Sequence, residues 1–149
     1  MSKTSWRGRF TIIHREPYVV LDGAHNRDAA LRLREPLLDC FPTQKKYYIM
    51  GVFSDKEYDK IIDRTVDLAE HIVTVETPGS SRALPAKELA AAVSRVNLSV
   101  EAAESIEAAV RRCFSLAKPE DVILIFGSLS FLGEAELAVK AIDKEKTAE

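Results

Sequence analysis

The sequence predicts an α/β fold: a mostly parallel sheet with helices on both faces and one antiparallel edge strand. Three observations predict it. Strand-like and helix-like stretches alternate at least four times, the pattern of right-handed strand–helix–strand units. The run "VILIF" at 122–126 is apolar without a break, as expected of a strand covered on both faces. The first two β-branched runs, in "RFTIIHREPYVVLDG", are split by a turn-compatible Arg15-Glu16 and by Pro17, which cannot donate to a ladder, so they form a hairpin. With 149 residues, no internal repeat and no low-complexity linker, the chain suits a single domain over 1–149.

After Gly23, Leu33, Leu37 and Phe41 recur at i, i+4 and i+8, a helical face. Asn26 suits the N-cap of that helix, and Pro36 inside it is expected to kink or interrupt it near Arg34. "KKYYIMGVF" reads as a strand ending at Gly51. Ser54 should cap the next helix, with Asp55 and Glu57 in its first turn and Tyr58, Ile61, Ile62 and Val66 on its apolar side. "HIVTVET" is a strand, followed by a loop rich in Pro, Gly and Ser, "PGSSRAL". Pro85 at a first-turn position opens the third helix. "NLSVEAA" holds a short strand, and "SIEAAVRRCFSLA" a helix that Lys118-Pro119 ends. "GSLSFLGEAELAVKAI" closes the chain as loop and helix, and the lysine-rich tail after Ile142 is expected to fray.

Composition excludes several classes of function. The net charge of -2, with acids and bases interspersed, leaves no basic footprint for a nucleic acid, while a local site for a small anion stays open. No run approaches the roughly 20 apolar residues of a membrane helix, and "MSKTSWRGRF" lacks the apolar core of a signal peptide. A soluble cytoplasmic chain is therefore expected, with Cys40 and Cys113 as reduced core thiols. Neither G-x-G-x-x-G nor G-x-x-x-x-G-K-[ST] occurs, so the chain carries no familiar phosphate cradle. It has no G-x-S-x-G elbow, and its three histidines, at 14, 25 and 71, form no metal-ligand pattern.

In open α/β sheets ligands bind beyond the carboxyl ends of the strands. Five segments are expected at that edge: "DGAHN", "MGVFSDK", "ETPGSSR", the turn at 97–100, and "GSLSF". Asp22 either accepts hydrogen bonds from two ribose hydroxyls or meets the N–H groups of the following helix. Gly23 provides a positive φ or room for a ligand. His25 stands near the positive end of the helix dipole, placed to hydrogen-bond a ligand or to be an ordinary surface residue. Ser128 and Ser130 offer hydroxyls beside backbone N–H groups, which suits a carboxylate or phosphate and equally suits simple capping. Arg9 and Arg82 are candidates for holding an anion.

Taken in order, "RGRF", "PYVVLDGAHN", "MGVFSDKEY", "SRALPAKEL" and "GSLSFLGE" resemble the C-terminal domain of folylpolyglutamate synthase and dihydrofolate synthase, the folate branch of the Mur ligase superfamily. The likeness runs from about Trp6 to the last helix, and "LDGAHN" is its most specific part. It implies a Rossmann-like three-layer sandwich. It also implies an enzyme that joins L-glutamate to a folate or pteroate carboxylate, activated by ATP and Mg2+ as an acyl phosphate. The P-loop, the metal ligands and most of the folate pocket would lie in a separate N-terminal domain, the partner of this one. On its own this domain would be inactive, and residues 1–5 are expected to be a linker or cloning remnant.

The same resemblance assigns roles. Arg9 would contact the ATP phosphates, Asp22 the nucleotide ribose, and His25 the reacting centre or the incoming glutamate. Ser128, Ser130 and Arg82 would serve substrate binding. Two positions depart from the pattern: Arg27 replaces a frequent proline, which a helix start tolerates, and Ser130 replaces a tyrosine. The other readings are a stand-alone small-molecule or partner-binding module of the same fold without catalysis, or another Mur-type amide ligase domain. An adjoining P-loop domain upstream separates the ligase from the module.

Overall fold

A computed structural model of the protein describes residues 10–54 and 57–148. The strands are β1 (Thr11–His14), β2 (Tyr18–Asp22), β3 (Lys46–Met50), β4 (His71–Thr74), β5 (Val100–Ala102) and β6 (Val122–Phe126). The helices are α1 (Arg27–Cys40), α2 (Tyr58–Thr65), α3 (Ala86–Val93), α4 (Ile106–Leu116) and α5 (Leu132–Ala148). They build one sheet in the order β1-β2-β6-β3-β4-β5, parallel throughout except for the β1–β2 pair at its edge. The expected α/β class and the antiparallel edge strand are both present. The hairpin turn contains a cis Glu16–Pro17 peptide, with Glu16 at φ +61°.

Alternation along β6 divides the core. Val122, Leu124 and Phe126 face one layer, where Leu33 and Leu37 of α1, Ile61 and Ile62 of α2, and Leu89 and Val93 of α3 pack. Ile123 and Ile125 face the other, with Ala109, Val110 and Cys113 of α4 and Leu132, Val139 and Ile142 of α5. Every residue of β6 is fully buried, each contributing on the order of 2 kcal/mol of apolar burial. That is why this run carries no polar alternation.

Several expectations are corrected. Helix α1 is not interrupted near Arg34; it runs unbroken to Cys40 with Pro36 inside it. An interior proline costs a helix about 3 kcal/mol, and burial of Leu33 and Leu37 on either side offsets that. Ser54 is not the cap of α2. Its N–H bonds the Arg82 carbonyl at 2.6 Å, beside an isolated Phe53–Ala83 bridge, so this loop pairs with the 80s loop and the helix starts only at Tyr58. Glu57 holds the cap position without a side-chain bond, and Asp55 lies outside the described residues. Pro85 occupies the N-cap position of α3 rather than its first turn.

The tail after Ile142 is helical to Ala148 instead of frayed, because it has partners. His14 reaches Asp143 at 3.2 Å, Arg111 grips Glu145 at 2.6 and 3.0 Å, and the Lys146 ammonium stands 5.3 Å from the Phe114 ring centre. The turn at 97–100 lies at the amino end of β5, away from the carboxyl edge. There the Asn97 amide donates to the Val66 and Ala69 carbonyls at 2.9 and 3.1 Å. Both cysteines are free, but only Cys113 is a core thiol; Cys40 is exposed. No helix among the described residues is long and apolar enough to cross a membrane.

Two glycines bring the central strand ends together. Gly127, at φ +116°, lies so close to Gly51 that a Cβ on it would stand 2.2 Å from the Gly51 carbonyl oxygen. Gly127→Ala should therefore lower stability by at least about 2 kcal/mol in denaturant unfolding. Gly133→Ala, at a helical position where the added Cβ would meet no described atom within 4 Å beyond its chain neighbours and its own helix backbone, should raise it by about 0.5 kcal/mol. Burial pushes the Cys113 thiol up to about 12. A thiol reagent at neutral pH should thus label one cysteine, Cys40, in the native protein and both after unfolding.

Candidate functional site

The β2–β6–β3 core of the sheet is in register, with Asp22 opposite Phe126 and Phe126 opposite Met50. All three strands therefore stop at one level, and the turns that follow, "DGAHN", "GVFS" and "GSLSF", share the carboxyl edge. A cleft of about 570 Å³ opens beside this edge. Its wall includes Asp22, Gly23, Ala24, His25 and Asn26 from the first turn and Leu129 from the last. The acid, the imidazole and the closing turn thus face one cavity.

Local hydrogen bonds hold the first turn rigid. One Asp22 carboxylate oxygen accepts the Ala24 N–H at 2.8 Å. The His25 Nδ1–H donates to the Gly23 carbonyl at 2.8 Å, which fixes the ring and leaves Nε2 as its outward polar atom. The Asn26 side chain accepts the Ala29 N–H at 2.8 Å, so Asn26, as expected, caps α1. Because Asn26 does the capping, Asp22 is not needed to start the helix. Its carboxylate stands half-buried on the cleft wall.

The other candidates are placed differently. Ser128 is buried and caps a short 3-10 turn, Leu129–Phe131: its hydroxyl oxygen accepts the Ser130 N–H at 3.2 Å and hydrogen-bonds the Ser130 hydroxyl at 2.8 Å. The serine pair shapes the rim, while Leu129 between them is what reaches the cleft. Arg82 lies on the loop after β4, its guanidinium 4.6 Å from the centre of the Phe53 ring, and is not on the cleft wall. Arg9 lies outside the described residues; its neighbour Phe10 lines the cleft.

Sequence reasoning missed the long wall of the cleft. Ala29, Arg32, Leu33 and Pro36, at helical spacing on α1, form it together with Phe10. The 29, 32/33, 36 spacing was visible, but that this face turns towards Phe10 depends on the sheet edge, which no local pattern reports. The arrangement offers a carboxylate, an imidazole nitrogen, an apolar strip and one guanidinium at its margin. That set fits a ligand combining hydroxyls, a flat apolar part and negative charge. Among the described residues no three His, Cys, Asp or Glu side chains gather as a metal site, so no step is assigned to a metal held by them.

Comparison with known proteins shows the family and the fold. Residues 8–129 match the family model described as Mur ligase, glutamate ligase domain. The dihydrofolate synthase/folylpolyglutamate synthase of Buchnera aphidicola is 33% identical over 134 residues, covering 90% of this chain and 32% of that protein. The Bacillus subtilis protein of the same name is 29% identical over 140 residues, 93% of this chain and 31% of its own length. The chain thus spans about a third of these relatives. Among solved structures, Mycobacterium tuberculosis folylpolyglutamate synthase complexed with ADP superimposes with a TM-score of 0.80 at 27% identity, over 87% of this chain and 31% of that one. A Yersinia pestis folylpolyglutamate synthase/dihydrofolate synthase with Mn, AMPPNP and L-glutamate bound shares the fold, with a TM-score of 0.81 at 24% identity over 93% of this chain and 32% of that one. With most of its length matched, from the arginine-rich start through the last strand and its turn, the chain belongs to the Mur ligase family's glutamate ligase domain.

Proposed function

We propose that this domain forms one wall of the active site of an ATP-dependent folylpolyglutamate/dihydrofolate synthase working in the cytoplasm. The complete enzyme joins L-glutamate to a folate or pteroate carboxylate. ATP supplies the phosphoryl group that activates that carboxylate as an acyl phosphate, and the glutamate amine displaces the phosphate. The observation that carries this reading is the convergence of Asp22, His25 and the closing turn on one cleft at the carboxyl edge. The ADP bound by the Mycobacterium enzyme and the Mn, AMPPNP and L-glutamate bound by the Yersinia enzyme support it.

Each residue then has a task the geometry permits. Asp22, already fixed by the Ala24 N–H, accepts the ribose hydroxyls of the nucleotide. Arg9 adds positive charge for the phosphates. His25, on the cleft wall with Nδ1 engaged by the Gly23 carbonyl, keeps Nε2 to hold the incoming glutamate or a proton at the reacting centre. Ser128 and Ser130 act on the substrate side through the rim that they shape, and Arg82, off the cleft wall beside Phe53, acts there from the neighbouring loop. An acyl phosphate survives only where water is excluded, so the N-terminal domain, which would carry the P-loop and the Mg2+ ligands, must close over this wall.

In the full-length enzyme, Asp22→Ala and Arg9→Ala should each raise the KM for ATP about tenfold or more, a loss of the order of one charge-assisted hydrogen bond. Steady-state assay with glutamate and each pterin substrate checks this, and an unchanged KM in both variants refutes the assignment. His25→Ala should lower kcat by about 100-fold while leaving the KM for ATP within a few-fold. The isolated domain should show no folate-dependent ATP hydrolysis; substantial turnover by it alone would overturn the two-domain reading.

A further inference from the structure

We propose that Ser99, His71 and Glu101 form an acyl-accepting relay at the amino end of β4 and β5, in which the Ser99 hydroxyl takes the acyl group of a small activated ester. The relay is independent of the ligase reading, since none of the three residues lines the cleft at the carboxyl edge.

The sheet register assembles the group. Ile72 pairs with Val100, which puts His71, the first residue of β4, beside Ser99 and Glu101, two positions apart on one face of the β5 segment. The ring bridges them: Nδ1 lies 2.7 Å from the Ser99 hydroxyl oxygen and Nε2 2.6 Å from a Glu101 carboxylate oxygen. Arg112 of α4 donates to that same oxygen at 3.0 Å. Burial pushes the Glu101 carboxyl up, but the hydrogen bonds from His71 and Arg112 outweigh it and hold the group below its ordinary value, so it is an anion at neutral pH. An ionised carboxylate only accepts, so in the neutral ring the proton sits on Nε2 and the lone pair of Nδ1 receives the Ser99 O–H. A hydroxyl bonded to the unprotonated nitrogen of an imidazole that a carboxylate orients is the arrangement of an activated nucleophile.

The nucleophile is both fixed and reachable. The Ser99 N–H donates to the Asn97 side-chain oxygen at 2.9 Å, and its carbonyl accepts the Ile72 N–H at 2.9 Å. Ser99 is nonetheless exposed, with the imidazole behind it 18% exposed. The Ser99 oxygen attacks the ester carbonyl as its proton passes to Nδ1. The bond from the carbonyl carbon to the leaving oxygen then breaks, and that oxygen takes the proton from Nδ1. All three side chains serve the attacking oxygen, so the donor itself must carry a good leaving group, a phenolate rather than an alkoxide. The acyl-serine that forms has an alkoxide leaving group and therefore persists. Glu101 and Arg112 are positioning residues in this step.

The probe is p-nitrophenyl acetate, with acetylation of the native protein mapped by peptide mass. Ser99 should be acetylated about 100-fold faster than Ser115, an exposed serine whose hydroxyl donates to the Arg112 carbonyl. His71→Gln should bring the two rates to within a few-fold of each other. Glu101→Gln should cut the Ser99 rate about tenfold, because the amide turns its NH2 to the ring and the proton moves to Nδ1. A merely structural role for Glu101 would lower the melting temperature and leave the Ser99-to-Ser115 ratio alone. A ratio near one in the native protein, or an unchanged ratio in a folded His71→Gln or Glu101→Gln variant, overturns the proposal.

Discussion

The in-register parallel pairing of β2, β6 and β3 is the constraint on which the rest of the molecule depends. Because Asp22, Phe126 and Met50 end their strands side by side, three loops emerge at one height. Residues more than a hundred positions apart in the chain then share one rim. The Gly51–Gly127 contact tightens the same arrangement, since a side chain at Gly127 would push the two central turns apart. Everything chemical in this domain is hung from that edge.

Rigidity at the edge comes from short-range bonds and not from large interactions. Asp22 to Ala24, His25 to Gly23 and Asn26 to Ala29 each span two or three residues. Each is worth only about 1 kcal/mol in water, yet together they leave the turn little freedom. A ligand then meets groups already held in place and gives up less free energy to ordering them. The domain as a whole is tied by burial on both faces of the sheet. The surface ion pairs, such as Arg34 to Asp67, add orientation more than stability.

Much of this was legible in the sequence wherever the signal was periodic or chemically marked. The uninterrupted apolar run of β6, the Asn26 cap and the hairpin around Pro17 follow from local rules, and the structure has all three. Errors arose where tertiary contacts overruled those rules. Pro36 does not stop α1, since the leucines around it are buried. Ser54 is diverted from capping by pairing with the 80s loop, and the tail beyond Ile142 stays helical by leaning on α4 and His14. The site divides the same way. The turn motifs announced Asp22 and His25, whereas Phe10 and Arg32 belong to the cleft through the packing of an edge strand beside a helix.

Placing β6 between β2 and β3 has a consequence for how the chain must be made. The hairpin of the first two strands and the β3-β4-β5 ladder touch within the sheet only through this last strand. During synthesis neither half can complete its hydrogen bonding until residues 122–126 leave the ribosome. A chain cut short before them would carry two unfinished sheets with raw inner margins open to any passing strand. The long separation between partners also makes assembly slow relative to a helical protein of equal size. The strand that completes the cleft-bearing edge is thus also the one that decides when the domain exists at all.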